Sequence, residues 1–281
     1  MEITKSSGQS EAFSQRKLMR SLRRAGASEE LSEEVWQALG PQVHSGMSSK
    51  QLEHQAFRLL KQLRHSVAAR YQLKRAIMEL GPSGYPFERL MGALFAHKGY
   101  EVQVGQVLKG HCVTHEVDVV ARQDRHPDGH GHDHLVLVEC KYRNTPGFKC
   151  DVKVPLYIQS RFEDIRGAAR LSKEQLGGWI ATNARFTGDA IKYAECVGLK
   201  LLGWDHPESD SLSHWLDQSR LYPLTVLTSL SRIQKQALLA QNLILCQDIL
   251  ERPVALHKLP GGLAPGTENR ILEECRALVK V

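Results

Sequence analysis

Apolar residues recur at helical spacing through most of the first 80 positions of the chain. The pattern predicts a hairpin around Gly8 and then helices over 14–25, 32–39 and 49–80, the last broken near His65. Ser32 and Ser49 stand at the beginning of apolar stripes and are expected to start their helices, because serine oxygens cap the N–H groups of a first turn. The Gly- and Pro-rich run 81–86 interrupts this periodicity and predicts a domain boundary.

Beyond this boundary, helical periodicity alternates with short apolar runs that are typical of strands. The predicted helices cover 86–98, 153–170 and 189–196, and the predicted strands cover 100–104, 111–121, 135–142, 179–182 and 199–204. In the first of these helices, apolar residues occur at spacings of three and four: Phe87, Leu90, Met91, Leu94 and Phe95. This order of elements predicts a sheet covered by helices.

The last segment, 207–281, begins with polar residues and then becomes helical. We expect two short helices around Asn242 and a closing helix over 268–280. A packing or dimerising bundle and a helix-hairpin-helix unit that contacts DNA phosphates both fit this rhythm. The fold class expected for the chain is therefore multidomain α+β: a mostly helical domain over 1–80, an α/β domain over 81–206 and a small helical domain over 207–281.

Composition narrows the class of protein without identifying it. The chain has 281 residues and a net charge of +6, and its first 80 residues hold 13 Lys and Arg against 8 Asp and Glu. This local surplus favours an anionic partner, although a solvated surface explains it equally well. The six cysteines show no CxxC spacing, and no apolar run is long enough to span a membrane. These features predict a cytoplasmic protein without a membrane partner.

Two of the predicted strands carry charged residues among apolar neighbours. Alternation along a strand puts Glu139 and Lys141 on one face, and in the preceding strand it makes Asp118 face away from Val117 and Val119. Charged groups in such positions are costly to bury without a reason. If the two strands pair, the carboxylates of Asp118 and Glu139 meet at one point.

This set of groups is suited to metal-assisted hydrolysis of a phosphodiester. Two carboxylates, together with the carbonyl oxygen of Cys140, provide the oxygen ligands that Mg²⁺ or Mn²⁺ prefers. Lys141 can orient the attacking water and stabilise the charge of the transition state. The competing interpretation is an exposed Glu139–Lys141 pair on an edge strand, with Asp118 as a charge at a strand end.

The spacing of Asp118 and the run Glu139-Cys140-Lys141 resembles the signature of the PD-(D/E)xK nucleases, with Val117 where a proline is often found. The helix that opens this segment and the later stretch 179–187 are similar to Mrr-type members. The resemblance implies a restriction-endonuclease-like fold, DNA as the substrate, and a supporting role for Glu88 toward a metal or its water. Three further residues are candidates for the site or for phosphate contacts: Glu116, Lys153 and Gln159.

The first segment resembles the ATP-cone, a nucleotide-sensing domain. Lys5, Glu11 and Lys17 match positions of that family, whereas Ser6 and Ser7 replace its Arg-Asp pair. The resemblance implies binding of ATP or dATP as an effector. The two lysines would hold the phosphates, and Glu11 would contact the sugar or base. A small helical domain with surface lysines is the alternative.

A histidine-rich insert separates the two strands of the nuclease motif. His126, His130, His132 and His134, with Asp128 and Asp133, form a candidate transition-metal site, although glycines within the insert favour a solvated loop. The sequence as a whole predicts a cytoplasmic, Mg²⁺-dependent DNA endonuclease that is regulated by a nucleotide. The alternatives are a non-catalytic, nucleotide-responsive DNA-binding regulator and a junction resolvase, which would act as a homodimer.

Overall fold

The computed structural model describes residues 1–4, 9–123, 134–172 and 175–279 of the chain. The helices are α1 (Gln15–Arg24), α2 (Glu29–Leu39), α3 (Ser49–Leu63), α4 (His65–Tyr71), α5 (Leu73–Met78), α6 (Tyr85–His97), α7 (Lys153–Ala169), α8 (Gly188–Val197), α9 (Leu212–Ser219), α10 (Arg232–Ala240), α11 (Cys246–Glu251) and α12 (Thr267–Val279). The strands are β1 (Glu2–Thr4), β2 (Ser10–Ala12), β3 (Glu101–Lys109), β4 (Thr114–Gln123), β5 (His134–Cys140), β6 (Lys149–Cys150), β7 (Leu176–Ala181), β8 (Arg185–Phe186) and β9 (Lys200–Leu202).

The N-terminal elements follow the predicted order, with one helix start placed differently. β1 and β2 pair antiparallel, as the predicted hairpin requires. The expectation that Ser32 begins α2 is wrong, because the side chain of Ser28 accepts the cap bond from the N–H of Leu31, and Ser32 lies buried inside the helix. Glu29 and Glu30 occupy the first turn, where the helix dipole favours negative charge, and this explains the earlier start.

The long predicted helix of this segment is divided where the sequence indicated a break. α3 begins at Ser49 as predicted, but Ser48 rather than Ser49 caps it, in a capping box with Gln51. The helix ends before Arg64, whose φ of −152° is extended. A second division at Gln72 separates α4 from α5 and was not predicted. The helices α1–α4 surround a core of their own, which includes Leu22 and Val35.

A five-stranded sheet in the order β3-β4-β5-β7-β9 forms the centre of the molecule. β3, β4 and β5 pair antiparallel, and β7 and β9 continue the sheet parallel to β5. β5 lies in the middle, which explains its continuous apolar run, because a strand covered on both faces has no solvated side. A short parallel pair of β6 and β8 accompanies the sheet and was not predicted.

One expectation about β4 is wrong and bears on the site. Val117 and Val119 do not share a face, since Val119 packs into the core under α6 whereas Val117 packs into the core under α7. Asp118 lies between them, opposite Gly105 in the β3–β4 register, and Gly105 has a φ of +66° that favours glycine. The regular alternation of side chains between the two faces of the sheet is therefore interrupted at Asp118, and Val117 and Val119 point to opposite faces.

Helices cover both faces of the sheet, and the C-terminal segment belongs to one of the two layers. α6 packs on one face together with residues of α9, α10, α11 and α12, and the same core includes residues of α5. α7 and α8 cover the other face. Asn242, with a φ of +62°, forms the turn after α10, as the sequence predicted for a break at this residue. In the described part of the chain, no helix combines the length and apolar character needed to cross a membrane.

Candidate active site

The predicted carboxylates meet where β4 and β5 separate. Val119 and Val138 form the last pair on this side of the β4–β5 ladder, and Asp118 and Glu139 occupy the next position in the same register. Beyond that point the backbone N–H of Cys140 donates a hydrogen bond of 2.6 Å to Oδ2 of Asp118. A side-chain carboxylate therefore replaces the strand carbonyl as the acceptor, and this positions Asp118 at the end of the ladder.

Glu139 is buried, with 5% of its surface exposed, and two basic residues contact its carboxylate. Nζ of Lys141 lies 2.5 Å from Oε1, and Nη1 of Arg161 lies 2.8 Å from Oε2. Arg161 also donates to the backbone carbonyl of Glu116. The sequence reasoning missed Arg161, because the residue lies on α7 and only the packing of that helix against the sheet brings it to Glu139.

Glu88 joins this cluster from the first turn of α6. Burial and the nearby carboxylates of Asp118, Glu116 and Glu139 raise the pKa of Glu88 to about 7. Burial and Glu139 also raise the pKa of Asp118 to about 6, although the Cys140 N–H, Lys141 and Arg161 act in the opposite direction. Glu88 and Asp118 thus lie among neighbouring carboxylates in a partly desolvated place, and a bound cation would relieve the repulsion that they experience.

The loop that carries Lys141 is held by buried polar residues that follow β7. The N–H of Lys141 donates to the carbonyl of Ala181 at 2.7 Å, and the hydroxyl of Thr182 donates to the carbonyl of Lys141 at 2.6 Å. The side-chain amide of Asn183 pairs with both the N–H and the carbonyl of Arg143, at 2.8 and 2.6 Å. Thr182 and Asn183 are buried, so this stretch fixes the backbone on either side of the candidate catalytic lysine.

The donor set fits a magnesium ion that keeps part of its water shell. Mg²⁺ sites commonly use one or two carboxylates, and Asp118 and Glu139 supply two. Among the residues that the structure describes, no three His, Cys, Asp or Glu side chains form a complete metal cage. Burial raises the pKa of the Cys140 thiol well above its usual range, so the sulfur is a poor ligand. The carbonyl of Cys140 stays a predicted third ligand.

The remaining candidates lie apart from this cluster or outside the described residues. Lys17 on α1 forms an ion pair of 3.1 Å with Glu11 on β2, whereas Lys5 is not described. The candidate transition-metal site lies in an insert of which residues 124–133 are outside the described ranges. Gln159 donates to Glu163 at 2.6 Å, and Lys153 is exposed at the start of α7.

Two protein families match separate parts of the chain. Residues 81–208 match a restriction endonuclease family, the Mrr catalytic domain, and these residues contain the sheet and the whole acidic cluster. Residues 222–279 match the family described as AF1548-like, C-terminal. The fold and the match together define a protein with a restriction-endonuclease-like domain.

Similar whole proteins extend this classification. An uncharacterised protein of Archaeoglobus fulgidus is 33% identical over 163 residues, which cover 57% of this chain and 83% of the archaeal protein. The chain belongs to the family of this archaeal protein. The crystal structure of the protein of unknown function AF1548 is similar with 28% identity and a TM-score of 0.55, covering 70% of this chain and 98% of that one. A complex of the MspJI restriction endonuclease with a 27-mer oligonucleotide matches at 14% identity and a TM-score of 0.35, covering 74% of this chain and 39% of that one.

Proposed function

We propose that this protein is a metal-dependent DNA endonuclease. The observation that carries the proposal is the meeting of Asp118, Glu139 and Lys141 at the point where β4 and β5 separate. The match of residues 81–208 to a restriction endonuclease family supports the reaction class. A non-catalytic DNA-binding regulator has no need for two carboxylates and a lysine gathered in a partly desolvated place.

Each residue has a role that follows from its position. Asp118 and Glu139 would hold Mg²⁺ or Mn²⁺, and such an ion supplies polarisation of the scissile phosphate and of a water. Lys141, which contacts Glu139, would orient that water and offset the negative charge of the transition state. Glu88, with a pKa of about 7, exchanges a proton readily at neutral pH, or it supports a second ion together with Asp118.

The test is cleavage of plasmid DNA and of a four-way junction in Mg²⁺, in Mn²⁺ and in EDTA. We expect metal-dependent cutting by the wild-type chain and none by Asp118→Asn or Lys141→Ala. Preference for the junction together with a dimer in solution would favour the resolvase alternative. DNA binding without cleavage of any substrate would overturn the proposed activity and favour the regulator.

We further propose that a nucleotide bound by the N-terminal segment regulates this activity. Two observations support the proposal: the N-terminal segment forms a hairpin followed by helices, as the resemblance to an ATP-cone implies, and α5 contacts the residue that follows Lys141. The hydroxyl of Tyr142, which follows Lys141 in the sequence, donates to the carbonyl of Met78 at 2.7 Å. A movement of α5 would therefore reach the neighbour of the catalytic lysine.

The regulatory proposal is tested by titration calorimetry with ATP and dATP and by cleavage in the presence of each nucleotide. Lys17→Ala should weaken nucleotide binding and abolish any effect on cleavage, because Lys17 would contact the phosphates. Lys50→Ala, which removes an exposed lysine from α3, is the matched control. Absence of binding to the wild-type chain would contradict the proposal and leave the nuclease assignment intact.

A further inference from the structure

Exposed aromatic side chains are confined to the surroundings of the acidic cluster. The chain has seven Phe, seven Tyr and four Trp, all within the ranges that the structure describes. Only Tyr85, Phe148 and Tyr157 are exposed, with 45%, 58% and 62% of their surface accessible. A single exposed ring is ordinary on a protein surface, but three exposed rings on the elements that carry the site point to a common role.

Each of these rings is connected to a residue of the site. Tyr85 begins α6, one helical turn before Glu88. The ring of Tyr157 lies under the guanidinium of Arg161, 5.5 Å from its centroid, and Arg161 is the residue that contacts Glu139. The aromatic positions therefore flank the carboxylates from the side of α6 and from the side of α7.

The third ring lies on the loop that leaves the active site. The ring of Phe148 is 5.9 Å from the guanidinium of Arg143, which is two residues after Lys141. The side chain of Asn183 fixes the backbone of Arg143, so this pair is presented by an ordered stretch. Two arginine–aromatic pairs thus lie on either side of the candidate metal ligands.

The charge of this surface indicates a polyanion as its occupant. Three exposed basic residues accompany the rings: Arg143, Lys149 and Lys153. Basic side chains that alternate with exposed aromatic rings are the arrangement by which proteins bind single-stranded nucleic acid, with phosphates at the charges and bases stacked on the rings. In a paired duplex the base faces are stacked on one another, and only their edges are open to a protein.

We propose that the active site takes an unpaired stretch of DNA, whose bases stack on Tyr157 and Phe148 next to the phosphate that is cut. This inference rests on the proposed nuclease function and names its substrate class: single strands, bubbles and flaps rather than continuous duplex. Arg143 and Arg161 each lie over one ring, and the exposed Arg143 is also available to a phosphate. Tyr85 provides a further stacking position beside Glu88.

Binding without cleavage tests the surface directly. Fluorescence anisotropy in Ca²⁺ would compare a labelled 20-nucleotide single strand with the corresponding duplex. We expect tighter binding of the single strand, and a loss of roughly 5-fold or more in Tyr157→Ala and in Phe148→Ala, because stacking on one ring contributes on that order. Tyr157→Phe retains the ring and should retain affinity. Val254→Ala removes an exposed apolar side chain from the C-terminal segment and should change nothing.

Two results would overturn the inference. In the first, the alanine variants bind the single strand as well as the wild type. In the second, they lose affinity for single strand and duplex by the same factor. Tighter binding of an RNA of the same sequence would overturn the assignment to DNA.

Cleavage separates the failure of this inference from the failure of the proposed function. A bubble duplex and a fully paired duplex would be incubated with Mg²⁺ or Mn²⁺, and the ratio of their cutting rates compared between the wild type and Tyr157→Ala. We expect the ratio to fall in the variant. If both substrates are cut at equal rates and the ratio is the same in the wild type and in Tyr157→Ala, the inference is overturned and the nuclease proposal stands. If single-strand binding depends on the rings but no substrate is cut, the stacking surface is supported and the proposed nuclease activity is contradicted.

Discussion

Oδ2 of Asp118 lies 2.6 Å from the backbone nitrogen of Cys140, so the side chain of one strand takes the place of a backbone acceptor of its neighbour. This bond lies at the end of the β4–β5 ladder and fixes the carboxylate beside β5, one residue from Glu139 in the sequence of that strand. It also explains how an acidic residue can stand in a strand whose neighbours Val117 and Val119 are both buried. The site is thus a consequence of how two strands of the sheet separate.

Asp118→Asn is expected to abolish cleavage without loss of the fold. The amide oxygen of asparagine can still accept the Cys140 N–H, whereas the charge that would bind the cation is gone. The loss of activity should be about 100-fold or more, the size typical for removing one essential electrostatic group from an active site. The measurement is the rate of plasmid cleavage in Mg²⁺, together with a thermal unfolding curve.

A remote charge serves as the control for this variant. Glu251→Gln removes an exposed carboxylate from α11 and should cut at the wild-type rate. Retention of metal-dependent cutting by Asp118→Asn would contradict the assigned role of Asp118 as a metal ligand.

The metal-free protein should lose stability as the pH rises from about 4.5 to 7. The pKa of Glu88 is raised from 4.5 to about 7 and that of Asp118 from 3.8 to about 6, so the folded state binds more protons than the unfolded state within this window. Their contribution to stability is therefore present at low pH and is lost as the pH passes the folded pKa values. The melting temperature in EDTA, measured at pH 5 and pH 8, tests this for the wild type and Glu88→Gln.

The difference between the two proteins isolates the titrating group. Glu88→Gln should show a smaller fall between pH 5 and pH 8, by on the order of 2–4 °C for a chain of this size. Added Mn²⁺ should stabilise the wild type more at pH 8 than at pH 5, because protons compete with the cation for the same carboxylates. An identical pH profile for both proteins would show that the folded protein does not raise the pKa of Glu88.

The strand pattern together with the resemblance to the nuclease signature predicted Asp118, Glu139 and Lys141 as one group. Alternation along the strand accounts for Glu139 and Lys141, whose side chains are in contact, but it fails at Asp118. Apolar spacing likewise predicted α6 and α7 almost to their ends. These features belong to single helices or strands, so the pattern of neighbouring residues in the sequence is enough to predict them.

Relations between elements could not be predicted in the same way. Arg161 meets Glu139 only because α7 packs on one face of the sheet, and nothing near residue 161 in the sequence indicates that partner. The change of facing at Asp118 occurs opposite Gly105 of another strand, whose φ is positive, and neither residue's own sequence neighbourhood indicates this pairing. The start of α2 was misplaced because Ser28 and Ser32 are both good capping residues, and the acidic first turn of Glu29 and Glu30 favours the earlier one.

Glu274→Ala should destabilise the C-terminal helices by about 1–3 kcal/mol. The carboxylate of Glu274 is buried and accepts from the backbone N–H groups of Thr228 and Ser229, at 2.7 and 3.1 Å. Its removal leaves two donors of a connecting turn without their acceptor. Glu273→Ala removes the exposed neighbour on the same helix and should have almost no effect. Urea unfolding would compare the two variants, and equal midpoints would show that the turn does not depend on Glu274.

Arg161→Ala should destabilise the protein in EDTA, by about 1.5–3 kcal/mol for one charge-assisted hydrogen bond, and much less in saturating Mn²⁺. Without the guanidinium, the buried carboxylate of Glu139 keeps Lys141 as its cationic partner, and a bound cation would replace the lost charge. Arg161→Lys should recover little, since a lysine lacks the fork that reaches both Glu139 and the carbonyl of Glu116.

Arg185→Ala, which breaks an exposed pair with Asp205, is the control and should cost at most about 1 kcal/mol with or without metal. A loss of stability for Arg161→Ala that is the same in EDTA and in Mn²⁺ would mean that no cation approaches Glu139, and it would remove that residue from the metal site.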